Sequence, residues 1–134
     1  MKNRRSRTIQ VTSERGQSLT EFALALPILA LLLFAVIQFG IVFNNYVTLT
    51  DATRAGARKG AVGRQLQQPQ QACIDAVQRS ATDLDSKKLQ TSCQSTWLPG
   101  ADVKVTATYP YQISLLGMVV KAGRLSSITT ERVE

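Results

Sequence analysis

Residues 22–43 read FALALPILALLLFAVIQFGIVF, an apolar run without a formal charge in which Gln38 is the one strongly polar side chain. As a helix rising about 1.5 Å per residue, it would reach roughly 33 Å, enough to cross a hydrocarbon core. The apolar region of a secretory signal is shorter, about 7–15 residues, and ends at a small-residue cleavage site. Here the run passes into Asn44, Asn45 and Tyr46 with no such site. It reads as a retained anchor. Pro27, near its start, removes one backbone hydrogen bond and predicts a kinked or loosened first part. Membrane helices accept this where neighbouring helices or local adjustments satisfy the freed carbonyl.

Charge is distributed unevenly about that run. The formal net charge is +7, from sixteen basic and nine acidic residues. Lys2, Arg4, Arg5, Arg7 and Arg15, against Glu14 alone, place four of the seven net positive charges before Gln17. The high pI therefore owes much to a leader. Beyond it, scattered basic residues and few aromatics argue against a nucleic-acid partner. The basic leader favours a cytoplasmic N-terminus and a C-terminal domain outside the cytoplasm. Arg54, Arg58, Lys59 and Arg64 blunt the contrast, with Asp51 as a partial offset. Cys73 and Cys93, an isolated pair beyond the anchor, suit one disulfide in an oxidising space; two buried free thiols are the alternative. If closed, the loop of about twenty residues would stabilise a small domain by roughly 3 kcal/mol.

Between leader and anchor stands Arg15-Gly16-Gln17-Ser18-Leu19-Thr20-Glu21-Phe22. Ser18 and Glu21 have the spacing of a capping box, in which the serine oxygen accepts from the Glu21 amide and the carboxylate reaches back. A negative group is also favoured at a helix N-terminus. The same residues, behind a basic leader and ahead of a membrane helix, resemble a type IV prepilin cleavage site. That resemblance implies an aspartic prepilin peptidase cutting after Gly16 on the cytoplasmic side, which leaves Gln17 as the new N-terminus. Glycine suits the scissile position because a backbone without a side chain enters a tight cleft in extended form. Glu21 would then face the positive α-amine of Gln17, on its own or a neighbouring subunit. An ionisable group at a membrane edge calls for such a partner.

The stretch Ser18–Pro27 (SLTEFALALP) is similar to the start of TadE-like proteins, from the tight-adherence (Tad) branch of type IV pili. Asp51-Ala52-Thr53-Arg54-Ala55-Gly56-Ala57-Arg58 resembles the small-residue and arginine stretch after their membrane helix, and the ending Glu131-Arg132-Val133-Glu134 is also similar. Gln38 departs from the acidic residue common in relatives. The resemblance implies a minor pilin or pseudopilin that helps to assemble the pilus. Its partners would be the prepilin peptidase, other minor pilins, the major pilin, the inner-membrane assembly platform and membrane lipid.

The implied organisation is a cleaved leader over 1–16, an N-terminal helix over 17–62 with its transmembrane part at 22–43, and a periplasmic α+β domain over 63–134. The implied location is the inner membrane, with incorporation into an extracellular pilus left open. The fold expected is α+β and pilin-like: a long transmembrane helix carrying a small antiparallel β-sheet. Gly56, Gly60 and Gly63 share a helix face, either weakening the helix or packing closely against another helix or the domain's own sheet. Arg54 and Arg58 point away from that face, toward solvent or toward lipid phosphates or a partner. Pro69–Leu84 reads as a second helix with Cys73, Ala76, Val77 and Ala81 inward. Asp83-Leu84-Asp85 reads as its polar end, since no further acidic or histidine ligands accompany it. Strands are expected at Lys88–Leu98, Ala101–Tyr109 and Gly123–Val133, the first two joined by a turn at Pro99-Gly100. Val103, Val105, Ala107 and Tyr109 alternate onto one face. Ile113–Val120 is too short to span a bilayer and is expected as a core helix or tucked loop; the alternative is an exposed patch for a neighbouring pilin.

Catalysis finds no footing. With no histidine, Ser-His and Cys-His pairs and the common histidine-containing zinc sites are excluded. No Gly-rich phosphate loop follows a strand, and no cofactor or metal is expected. The expected function is a non-enzymatic one in pilus assembly. Two rivals remain open: an uncleaved single-pass scaffold subunit of an envelope complex, and a pilus-tip binding module.

Overall fold

The computed structural model describes residues 13–115 and 117–134. The leader residues Lys2, Arg4, Arg5 and Arg7 lie outside the described residues. The first element, α1 (Ser13–Ala61), contains the whole apolar run and continues through Pro27. Its Ala and Leu content favours helix throughout. It ends one residue before the expected Val62. There Gly63 N–H donates to Gly60 O at 3.0 Å and Glu134 N–H to Ala61 O at 3.1 Å. Carbonyls that a helix end leaves unpaired are thereby satisfied.

The chain divides into two compact units between Val36 and Ile37. In the first, Leu24, Ile28 and Leu33 are among many large apolar side chains left exposed on α1. Holding such area in water costs about 25 cal/mol per Å², so this surface calls for lipid or for other helices. An N-terminal helix of this length and composition fits a single-pass membrane anchor.

In the second unit the remainder of α1 packs against α2 (Pro69–Ser80) and three strands, β1 (Gln90–Gln94), β2 (Asp102–Leu115) and β3 (Met118–Arg132). The strands form one antiparallel sheet in the order β1-β2-β3. The fold is α+β. Leu49, Ala52 and Ala57 of α1, Cys73 and Val77 of α2, and Val103, Val105 and Ala107 of β2 are all buried together between helices and sheet. Alternation along β2 sends Val103, Val105 and Ala107 inward and Lys104 outward. Such a one-sided sheet is stable only where a helix covers its apolar face.

Pro99-Gly100 forms the expected turn. Ala101 N–H donates to Leu98 O at 2.9 Å, and Gly100 has φ +79°. Pro in the second position and a positive-φ glycine in the third define a type II turn. The strands differ from expectation at their ends. β1 covers only Gln90–Gln94 of the expected Lys88–Leu98, because the chain bends away after Gln94 and Trp97 adopts φ +56°. β3 starts five residues earlier than expected, at Met118.

Two further expectations are corrected. The second helix stops at Ser80, not Leu84: Ala81 leaves helical geometry at φ −92°, ψ 48°, and its N–H still caps Val77 O. The chain then turns so that Leu84 and Leu89 enter the core, and Asp83–Asp85 belongs to this turn rather than to a helix end. Ile113–Val120 is neither a core helix nor a tucked loop. It is the far end of the β2–β3 ribbon, turning through Gly117 at φ +84°, with Met118, Val119 and Val120 exposed. Backbone pairing between β2 and β3 continues beyond the part of the sheet that the helices cover, so nothing buries these side chains.

Cys73 and Cys93 form a disulfide, with S–S 2.06 Å. It ties α2 to β1, one of the two edge strands of the sheet. Closing a loop of this length stabilises by roughly 3 kcal/mol on the chain-entropy model.

Candidate processing and assembly site

The candidate processing motif, Arg15–Phe22, lies near the start of α1. Gly16 is helical and exposed, and a Cβ placed on it would meet nothing within 4 Å. Among the described residues nothing requires a glycine there. Thr20 Oγ1 donates to Gly16 O at 2.8 Å, one turn along the same face. Gln17 Nε2 donates to Glu21 Oε1 at 3.1 Å, both on the exposed surface. The helix already includes Ser13, so Ser18 sits inside it and cannot serve as an N-cap. The capping-box reading of Ser18 and Glu21 therefore fails in the uncut chain. Glu21 is instead held through the side chain of Gln17. Phe22 is exposed beside it, at the head of a run with no further Asp, Glu, Lys or Arg until Asp51.

The second part of the motif region is Asp51–Arg58, within the second unit. Its small residues face inward. Ala52, Thr53, Gly56 and Ala57 are buried, whereas Asp51, Arg54 and Arg58 are exposed. Arg54 and Asp51 pair at 3.5 Å, largely in solvent, where such a pair adds little. A Cβ on Gly56 would collide with Val77 Cγ2 and lie 3.3 Å from Cys73 O. One on Gly60 would come within 2.8 Å of Val103 Cγ1 and 3.4 Å of the Trp97 ring. Both glycines are therefore close-approach positions against α2 and the domain's own sheet. Gly63 lies past the helix end. Pro27 falls in the exposed apolar part of α1, where no contact explains it.

Two features of this region lie outside the sequence-based expectations. Thr53, fully buried, donates to Thr50 O at 2.8 Å and shares hydrogen bonds with Ser127 Oγ at 3.0 Å and Thr129 Oγ1 at 3.1 Å. This polar clasp joins α1 to β3. A threonine on an otherwise small, apolar helix face is the available signal. Trp97, with φ +56°, covers Gly60, its ring 3.4 Å from where a Cβ would stand. Tyr109, on the face expected of it, packs with Leu125 at the margin of the core, and its Oη accepts from Asp85 N–H at 3.3 Å.

An exposed apolar helix that continues into a small disulfide-bonded α+β unit fits a single-pass, membrane-anchored protein. Residues 16–58 match the model of the family described as TadE-like protein, which bears out the resemblance drawn from Ser18–Pro27 and Asp51–Arg58. The match covers about a third of the chain, starts on Gly16 and ends on Arg58. Over that stretch the chain is similar to TadE-like proteins of the Tad pilus system. No curated protein and no solved structure matches the chain.

Proposed function

We propose that this chain is a minor pilin or pseudopilin of a Tad-type pilus, cut between Gly16 and Gln17 by an aspartic prepilin peptidase at the inner membrane. The observation that carries this reading is the lone carboxylate of Glu21, placed five positions past a glycine that the fold does not need, at the head of an uncharged and exposed helix. Helical glycine costs about 1 kcal/mol relative to alanine. The turn at Gly16 is thus the cheapest one to open for an extended protease substrate.

After cleavage the α-amine of Gln17 becomes a positive charge one turn from Glu21, where the Gln17 side chain already lies. That amine, on the same or an adjacent subunit, pairs with the carboxylate and sets axial register as the apolar helix passes from lipid to the faces of neighbouring helices. The domain outside the membrane contributes a rigid head, not a reaction; we read the chain as non-enzymatic. The peptidase, other minor pilins, the major pilin and the inner-membrane platform are the partners this reading requires. DNA is not among them.

Intact mass of the protein purified from cells with and without a prepilin peptidase tests the reading. A mature chain starting at Gln17 only when the peptidase is present supports it. A chain still starting at Met1 in competent cells sinks it and leaves a permanently inserted scaffold subunit. Glu21→Gln, in turn, should be cleaved and inserted normally yet fail to support pilus assembly.

A further inference from the structure

The β2–β3 ribbon outruns the rest of the sheet. β1 pairs with β2 only as far as Thr108, while β2 and β3 remain paired up to Leu115 and Met118. At the end, Met118, Val119 and Val120 are 69%, 59% and 67% exposed. Ile113 faces Lys121 and Ser114 faces Val119, so Val120 is an extra residue that locally bends and twists the ribbon. An exposed apolar cluster of this kind marks a contact surface.

The direction of β2 indicates what that surface meets. Val103 lies against Gly60 and Val105 against Gly56. Further on, Tyr109, Pro110, Tyr111 and Gln112 line a groove with Ile41, Val42 and Asn45. Advancing along β2 therefore means going back along α1, toward the apolar run. Ile41 and Val42 are among the last residues of that run, so Tyr111 stands level with the rim of a bilayer that α1 would span. Its ring lies over Gly123, within 2.9 Å of where a Cβ would be. Tyrosine is favoured at this depth. Four more residues, at about 3.3 Å each, carry β2 up to roughly 13 Å beyond Tyr111. Near the same level, Lys87, Lys88 and Arg124 line a cleft beside Pro110, and Lys121 is exposed. Cations so placed attract anionic headgroups.

We propose that the ribbon tip is a second membrane contact, in which Met118, Val119 and Val120 enter the boundary between headgroups and acyl chains of the leaflet from which α1 emerges, while the lysines and Arg124 meet phospholipid headgroups. Insertion is shallow, on the order of 5–10 Å as for interfacial helices. Both edges of the ribbon carry unpaired backbone groups there, which a hydrocarbon core does not tolerate. The tip braces the head against the membrane and must leave lipid whenever α1 does. This inference rests on α1 as a membrane anchor and is independent of cleavage at Gly16.

The test uses the full chain reconstituted in vesicles of phosphatidylcholine and phosphatidylglycerol, with Val119→Trp and, separately, Met118→Trp. Trp97, packed on Gly60 at the other end of β2, supplies the reference emission in the unaltered protein. Each added tryptophan should lose emission to lipids brominated near the top of the acyl chain and be shielded from aqueous iodide, while the reference emission is unaffected by bromine. An added tryptophan open to iodide and untouched by bromine overturns the proposal. So does one shielded from iodide without bromine quenching, in proportion to protein density, which assigns the tip to a second copy of the chain. Flotation with the vesicles separates the two levels: a floating chain with an unquenched tip refutes this inference alone, and a chain that does not float refutes the anchor along with it.

Discussion

Glycine has two distinct meanings in this chain, and single substitutions separate them. Gly56 is hemmed in by Val77, Cys73 O and Val105, whereas at Gly40 nothing lies within 4 Å of where a Cβ would stand. Gly56→Leu should lower stability by about 1–3 kcal/mol, as overpacking does, while Gly40→Leu changes it little; denaturant midpoints in detergent micelles provide the comparison. Gly16 resembles Gly40 in its open surroundings. Gly16→Leu is therefore expected to leave folding intact and to block maturation, and a stability loss with normal cleavage would contradict the assigned role. Thr53 behaves differently again. Thr53→Val removes the hydroxyl shared by Ser127 and Thr129, leaving their groups short of a partner, at a cost of about 1–3 kcal/mol.

At the scale of elements, α1 passes from exposed on all sides to one-sided within a few turns. Before Val36 its large apolar side chains are exposed; from Leu49 a face of Leu, Ala, Thr and Gly is buried against β2, β3 and α2. Small residues on that face let the helix axis approach the sheet closely, which is what places Val103 and Val105 in contact with helix backbone positions. The disulfide fixes the remaining layer. Replacing Cys73 and Cys93 together by serine should lower stability by roughly 3 kcal/mol, read as a fall in thermal midpoint with the secondary structure kept below the transition. The two ends of the β2–β3 ribbon should respond oppositely to charge. Val119→Asp at the ribbon tip should alter stability by no more than about 0.5 kcal/mol, as at other exposed sites. Val105→Asp should prevent folding, since it buries a carboxylate without a partner.

For the molecule as a whole, the buried cluster runs from Leu49 to Val133 and uses nothing from the apolar run. A chain beginning at Asn44 is therefore expected to fold in an oxidising compartment as a soluble, disulfide-bonded domain, checked by thermal melting and by the mass of the oxidised form. Aggregation of that fragment with free thiols would show that the first unit is needed for folding. Anchor and head thus supply separable properties. The apolar helix offers a surface suited to lipid or neighbouring helices, and the head is a disulfide-bonded domain with an exposed apolar tip.

The long apolar helix, the family resemblance of Ser18–Pro27 and Asp51–Arg58, the alternating face of β2, the turn at Pro99-Gly100 and the pairing of Cys73 with Cys93 were all legible in the sequence. Each depends on local sequence: uninterrupted apolarity, short motifs, a two-residue period, a Pro-Gly pair, or two lone thiols. What the tertiary structure alone decided was which surfaces are covered. Gly56 and Gly60 became contact points because Val77, Val103 and Trp97 arrive there from distant positions. Leu84 and Leu89 ended α2 early by turning into the core. Met118, Val119 and Val120, as apolar as core residues, remained outside because the pairing of β2 with β3 continues beyond the part of the sheet that the helices cover. Apolarity specifies that a side chain needs company; only the packing of the whole chain determines whether that company is the protein itself.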